Sequence, residues 1–343
     1  MSRTIHETFI VDKHEQWMVD YNRKYESKLE KEKRLNIFKE NLEYIESFNN
    51  GGNRSFKLSL NEFADMTQDE SIAAHTGYKM QGNPTLSEST SFMYENVSDV
   101  PTNLDWRAQG VVTPVKFQGQ CAKKHSFIFF SNCFILNKGL LLVYFAGCCW
   151  AFSAVAAIEG IVQIKTGSLM SLSEQQLLDC STDGGNRGCD GGQMVNAFEY
   201  VIRNQGITTE ESYPYQETQE TCDTEKQINK VATINEYQMV PENDEEALLK
   251  VVASQPVSVA IEGHGQDFRF YSGGVFTGDC GNALSHAVTV VGYGTSEEGL
   301  NYWLVKNSWG ETWGENGYIR IQRDANTPGG LCGIAMKASY PVM

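Results

Sequence analysis

Four segments of the second half of this chain alternate apolar with polar residues: QPVSVAIEG from Gln255, HAVTVVGYG from His286, NYWLVKNSWG from Asn301 and GYIRIQR from Gly317. Gly-rich turns separate them, and a period of two reads as strands. Ahead of them lies WAFSAVAAIEGIVQI (150–164), a helical run closed by Gly167. A helical half followed by a β half predicts an α+β architecture of two lobes. The cleft between two such lobes is a usual place for a site.

The first hundred residues read differently. Residues 13–49 read as helices, and from Glu30 to Asn49 Leu35, Phe38, Leu42, Ile45 and Phe48 form one apolar stripe. Gly51-Gly52-Asn53 ends the helix, and FKLSLNEF (56–63) reads as a short strand. Residues 71–99 are polar and weakly patterned, which predicts an exposed linker carrying a processing site close to Val100. The expected division is a remnant at 1–12, a small helical domain at 13–70, the linker at 71–99 and the main domain at 100–343.

With 343 residues, 41% apolar and 11% aromatic, the chain can bury a substantial core. Its net charge of −15 argues against nucleic acid or an anionic membrane as partner. The acidity fits life in acidic fluid, and equally a solvated surface without functional meaning. Nine cysteines suggest an oxidising compartment, and the odd count leaves at least one thiol free. The sequons at Asn53 and Asn96 agree with secretion. The N-terminus, MSRTIHETFIVDKHEQWM, shows no apolar segment before a small-residue cleavage site. With this cysteine content, the expectation is that a signal peptide is missing from this sequence and that the protein travels to a vacuole, a lysosome or the extracellular space.

Cys149 opens the helical run, where the positive end of the helix favours thiolate. His286 on an apolar strand offers a base, and Asn307 in KNSWG offers a side-chain carbonyl to orient it. Gln118 can give its side-chain NH2 to an oxyanion, joined by the Cys149 N–H. Taken singly, these are a core cysteine, a satisfied core histidine and a turn asparagine. Their conjunction in this chain order points to nucleophilic catalysis.

The segments Gln118-Gly119-Gln120-Cys121 and Gly147-Cys148-Cys149-Trp150-Ala151-Phe152-Ser153 resemble the nucleophile region of papain-like cysteine proteases. SHAVTVVGYG and KNSWGETWGENGYIRI resemble that family's His and Asn segments, 137 residues (149 to 286) and 158 residues (149 to 307) downstream. Glu30, Arg34, Phe38, Asn41, Ile45 and Asn49 are similar to the helical motif of the family's inhibitory pro-segments. Asn61, Phe63 and Asp65 resemble its second motif, with Ser59 where Gly is usual.

The resemblance implies a papain-like two-lobed fold preceded by a pro-domain. The function it implies is an endopeptidase that hydrolyses peptide bonds through a thioester and is made as an inactive precursor. It implies disulfides Cys121–Cys189, Cys180–Cys222 and Cys280–Cys332, leaving Cys133, Cys148 and Cys149 free. By the same likeness Gly191 and Gly192 offer backbone to an extended peptide. Met194, Ala260, Ala287 and Lys337 line a side-chain pocket, and Trp309 shields the His–Asn bond. Lys337 either favours an acidic side chain or snorkels to water, and the second is expected. Expected partners are polypeptide substrates, the chain's own pro-segment and cystatin-type inhibitors, for a monomer without metal or cofactor. Cys149 and His286 are expected to form an ion pair. Ionised carboxylates such as Glu30 and Asp65 are expected to hold the pro-domain together until acid releases it.

The chain departs from the family at Ala122–Ala146, a 25-residue aromatic and aliphatic stretch between Cys121 and the nucleophile. Three readings compete: a membrane-inserting segment, for which its charge-free run is too short, a functional loop, and translated intron. The third is the expectation, and with it impaired activity of this exact polypeptide. Cys148 stands where Ser or Ala is usual, and Ser285 where Asp or Asn is frequent. Vicinal cysteines could bind metal, but no second ligand pair at suitable spacing accompanies them. The alternatives to an enzyme are a catalytically dead binding protein of the same fold and a stand-alone inhibitor.

Overall fold

The computed structural model describes residues 2–79, 92–123 and 147–343. Its first part comprises α1 (Ser2–Asp20), α2 (Lys28–Asn50), β1 (Phe56–Leu58) and α3 (Gln68–His75). Ser27 caps α2 by accepting the Glu30 N–H, and Gly51 follows its last turn. Phe38 and Leu42 bury their side chains with Ile10, Trp17 and Ala64 in a small core, while Leu35 is only partly covered. Because Ile10 belongs to this core, the boundary expected at residue 13 falls inside a continuous helix. The strand expected over 56–63 shortens to three residues because Asn61 and Phe63 turn back onto the larger domain.

The larger domain follows with β2 (Leu104–Asp105), β3 (Ala122–Lys123), α4 (Cys149–Thr166), α5 (Glu174–Cys180), α6 (Met194–Arg203) and β4 (Thr218–Gln219). It continues with β5 (Glu236–Met239), α7 (Glu245–Val252), β6 (Val257–Ile261), α8 (Gln266–Phe270) and β7 (Tyr271–Phe276). The chain closes with β8 (His286–Thr295), β9 (Asn301–Lys306), β10 (Tyr318–Gln322) and β11 (Ala338–Val342). Among the described residues the main sheet runs β1-β7-β10-β9-β8-β6-β11-β5, with β2 added to β8. All its pairs are antiparallel except β7 with β10.

The four alternating segments become β6, β8, β9 and β10, but β6 and β8 are buried on both faces. Val257, Val259, Val288 and Val290 face the β-lobe core, while Ala260 and Ala287 face the helical lobe. The polar positions turn toward α4 and not toward water: Ser258 and Thr289 donate to the Ser153 carbonyl at 2.9 and 3.3 Å. A polar residue in that alternation is therefore satisfied by a buried helix. Helix α4 can come this close because Gly160 has no side chain; a Cβ there would sit 2.5 Å from Pro256 Cγ.

Three disulfides form as the resemblance implies, Cys121–Cys189, Cys180–Cys222 and Cys280–Cys332. Cys148 and Cys149 are free and buried, and Cys133 lies outside the described residues. Of the unusual stretch, residues 124–146 lie outside them too. Its first two residues, β3, pair in parallel with β4. Both flanks reach the same rim of the fold, since an added Cβ on Gly147 would lie 3.0 Å from Gln118 Nε2.

The small helical domain docks on the β lobe. Strand β1 extends the sheet beyond β7, and Phe56 packs on Phe276 with ring centroids 4.8 Å apart. Arg269, 2% exposed, donates to the Asn41 side chain at 3.0 Å and to the Met66 carbonyl at 3.1 Å, while its own carbonyl accepts from Asn61 at 2.7 Å. Within the small domain Arg34 pairs with Glu30 and Glu70, each at 2.7 Å. Arg34 reaches only the backbone carbonyl of Asp65, whose carboxylate accepts from Tyr25 at 2.9 Å.

Candidate active site

Cys149 is the first residue of α4, so its sulfur sits at the end of an 18-residue helix where N–H groups are unpaired. The Ala287 N–H donates to Cys149 Sγ at 3.3 Å. His286, the first residue of β8, places Nε2 2.8 Å from Asn307 Oδ1, which also accepts the Ser308 N–H. The carbonyl oxygen of Asn307 therefore fixes the proton on Nε2. This leaves Nδ1 as a buried lone pair with no hydrogen-bond partner among the described residues. The Trp309 indole stacks on the imidazole at 4.8 Å and is 1% exposed, which keeps water from the His–Asn bond.

Gln118 is held on three sides. Its N–H donates to the Ser308 carbonyl at 2.8 Å, its Oε1 accepts from Ser308 Oγ at 2.5 Å, and its carbonyl accepts from the Tyr215 hydroxyl at 2.6 Å. The side-chain NH2 alone is left to face the cleft. Nearby, Lys116 forms ion pairs with Glu174 at 2.7 Å and Glu159 at 3.4 Å, which ties the segment leading to Gln118 to α4 and α5.

The segment after α3 fills the cleft. Residues 71–79 are thus not an exposed linker: Ser71, Ala74 and His75 are buried in α3, and Tyr78 is buried where the cleft pairs its backbone. The Gly147 N–H donates to Thr76 O at 2.8 Å, Gly192 N–H to Gly77 O at 2.9 Å, Tyr78 N–H to Ser285 O at 2.9 Å and Lys79 N–H to Gly192 O at 3.1 Å. Gln118 Nε2 donates to His75 O at 3.1 Å. Gly77 and Tyr78 also turn N–H groups to Cys149. Gly191 has a φ of +105°, and a Cβ there would strike Gly77 O at 2.6 Å, so glycine is required on both counts. Tyr78 is buried in the same apolar cluster as Met194, Ala260 and Ala287. The Lys337 ammonium reaches the surface, where it forms an ion pair with the exposed Glu242 carboxylate.

This covered state suppresses the ion pair expected of Cys149 and His286. Burial pushes the Cys149 thiol up to about 11, over the opposing N–H groups of Ala287, Gly77, Trp150 and Tyr78. Burial likewise pushes the His286 imidazole down to about 4 despite the Asn307 bond. Removing both charges from water costs more than the N–H groups return.

The papain family cysteine protease profile matches residues 145–342, more than half of the chain, and the cathepsin propeptide inhibitor domain matches residues 14–71. The chain belongs to the papain family of cysteine proteases. It is 47% identical to the senescence-specific cysteine protease SAG12 of Arabidopsis thaliana, over 100% of this chain and 93% of that protein. Vignain of Phaseolus vulgaris is 49% identical, over 91% of this chain and 80% of its own. Among solved structures, the proform of the ragweed pollen allergen Amb a 11 is similar at 41% identity and a TM-score of 0.82, covering 97% of this chain and 94% of that one. The recombinant stem bromelain precursor is similar at 40% identity and a TM-score of 0.82, covering 97% and 99%. This papain-family member is a cysteine endopeptidase made as an inactive precursor, with its own pro-segment as intramolecular inhibitor.

Residue reading brought Cys149, His286, Asn307, Gln118, Gly191, Gly192 and Trp309 to one cleft. It missed His75, Tyr215, Ser308, Arg269 and Glu242. Ser308 lies beside Asn307 in the KNSWG motif and was within reach. The other four act through contacts between distant parts of the chain and carry no local pattern.

Proposed function

We propose that Cys149 is the nucleophile, His286 its acid and base, Asn307 the group that orients the imidazole, and Gln118 with the Cys149 N–H the oxyanion donors. The observation that carries this is the 2.8 Å bond from His286 to Asn307, which leaves Nδ1 free beside the N-terminus of α4. Once the pro-segment leaves, water and the helix end favour thiolate and imidazolium. The thiolate attacks the scissile carbonyl carbon, and the oxyanion takes up the Gln118 NH2 and the Cys149 N–H. His286 gives its proton to the leaving amine as the C–N bond breaks and a thioester remains. It then takes a proton from water, whose hydroxide displaces Cys149 and releases the acid.

Gly191 and Gly192 hold the substrate backbone, and Met194, Ala260, Ala287 and Lys337 shape the side-chain pocket. The working division is a pro-domain that holds α1 to α3, a connecting segment that ends with cleavage near Val100, and the peptidase domain at 100–343. The three disulfides and exposed Asn53 and Asn96 support passage through an oxidising secretory compartment to a vacuole, a lysosome or the exterior. A monomer sensitive to cystatin-type inhibitors completes the reading. Acid-processed enzyme labelled by a thiol-directed epoxide and mapped by peptide mass tests it: the label belongs on Cys149, and a label elsewhere with full activity overturns the assignment.

A further inference from the structure

We infer that Tyr215 is a positioning residue that clasps the oxyanion donor Gln118 to the nucleophile helix across the break made by Ala122–Ala146. The inference rests on the reading of Gln118 and Cys149 given above. Its hydroxyl lies 2.6 Å from the Gln118 carbonyl and 2.9 Å from Cys148 Sγ, the residue that precedes the nucleophile. A phenol has one proton, and a carbonyl can only accept it. The Tyr215 proton is therefore spent on Gln118, and the Cys148 S–H must donate to the Tyr215 oxygen. The relay Cys148 S–H to Tyr215 O–H to Gln118 C=O joins the two sides of the gap in three atoms' reach.

The clasp is itself held in place. The Tyr215 ring meets Phe152 of α4 edge-on at 4.9 Å, and its N–H donates to Glu210 at 2.8 Å. Gln118 is fixed from the β lobe by Ser308 and from the helical lobe by Tyr215. Tyr215 is thus the helical-lobe side of that grip. Where few residues separate Gln118 from the nucleophile, the covalent chain itself sets their distance. Here 25 extra residues intervene, so a short covalent link no longer sets that distance, and the hydrogen-bonded relay shares the positioning with the Cys121–Cys189 disulfide. It also gives Cys148 a use: its proton anchors the relay, and a serine could supply the same donor.

The test uses the processed full chain, with kcat expressed per epoxide-titrated site so that poorly folded molecules do not count. Tyr215→Phe keeps the ring and removes both hydrogen bonds. It is expected to lower kcat about 10-fold, part of the 10²–10³ that loss of an oxyanion donor typically costs, with KM within twofold. Inhibition by a peptide aldehyde, which forms an oxyanion on Cys149, weakens in parallel. Alkylation of Cys149 by iodoacetamide, which needs no oxyanion donor, keeps its rate. Gln118→Ala in the same assays reports on the underlying reading. If Gln118→Ala lowers kcat while Tyr215→Phe does not, the clasp is wrong and the oxyanion assignment stands. If Gln118→Ala has no effect, the underlying reading fails. Should Tyr215→Phe yield no titratable enzyme, Cys148→Ala decides: a severalfold fall in kcat per site supports the relay, and a parental value overturns it.

Discussion

The backbone carbonyl of His75 lies 3.1 Å from Gln118 Nε2, so the pro-segment consumes the one hydrogen-bonding group of Gln118 that is not tied to the framework. The precursor is silenced at the oxyanion donor as well as at the sulfur, and both must be uncovered together.

Replacing Cys149 by Ser is expected to remove peptide hydrolysis by roughly 10⁶ in kcat, the scale of losing a triad nucleophile. Cys148→Ser leaves hydrolysis and epoxide labelling in place, because a hydroxyl can still donate to Tyr215. Turnover with a peptide substrate and the mass of the labelled peptide check both variants. Appreciable activity in Cys149→Ser would contradict the assignment.

The pH dependence of opening is expected to depend on two buried groups with opposite signs. His75 sits against Phe63 and Trp309, its Nδ1 meets the Ser71 carbonyl, and it lies in the fields of Arg23, Arg269 and His286. Burial brings its pKa down to about 4 from 6.5. The docked form therefore excludes a proton that the released segment binds. Docking is intact above pH 6.5 and weakens as pH falls from there toward 4. Glu62 is the reverse: burial raises it to about 7 from 4.5, against the Thr312 hydroxyl that accompanies it. Its ionised form weakens docking at neutral pH, and that cost disappears as pH falls toward 4.5. Each is worth about 3 kcal/mol at its limit. His75→Phe should leave the rate of thiol labelling of the precursor unchanged at pH 8 and slow it at pH 4–5. Glu62→Gln should slow it at pH 8 and converge with the parent near pH 4.5. Identical ratios to the parent at all pH values for either variant would remove that group from the account.

Gly77→Ala is expected to make the precursor leak. A Cβ at Gly77 would stand 1.8 Å from the Gly147 carbonyl oxygen, so the segment must lift from the nucleophile. Overpacking of this kind typically costs about 1–3 kcal/mol, or roughly 5- to 100-fold more activity before processing. A fluorogenic peptide assay of unprocessed precursor at neutral pH reads it, and parental latency would show that the contact can relax.

A chain lacking Ala122–Ala146 is expected to give higher yield and higher turnover than the full chain. Gly147, the residue after the stretch, already stands beside Gln118 at the rim of the fold, so deletion is expected to keep the two flanks together. Equal yield and equal kcat per titrated site from both would identify the stretch as a tolerated, native loop and end the intron reading.

Patterns of short range were legible in the sequence. The α2 stripe from Phe38 to Phe48 repeats every three or four residues, and Cys149, His286 and Asn307 each sit in a distinctive run. The path of residues 71–79 was not, because SIAAHTGYK is polar and its burial comes from a groove built by residues far along the chain. Arg269 stands in no local pattern, yet it is buried and donates to Asn41 and to the Met66 carbonyl. Asp65, named among the ionised carboxylates expected to hold the pro-domain together, accepts from the Tyr25 hydroxyl and not from a cation. Glu70 is the acid paired with Arg34; burial would raise its pKa, and the Thr67 N–H and Arg34 hold it lower. Nothing local distinguishes one acidic residue from the other.

The ladder from Thr76 to Lys79 joins Gly147, Gly192 and Ser285 through main-chain atoms at almost every rung. A seal made of peptide groups reads the course of a chain more than its letters. It can pass intact between homologous enzymes whose pockets prefer different substrates, and drift in diet need not disturb dormancy.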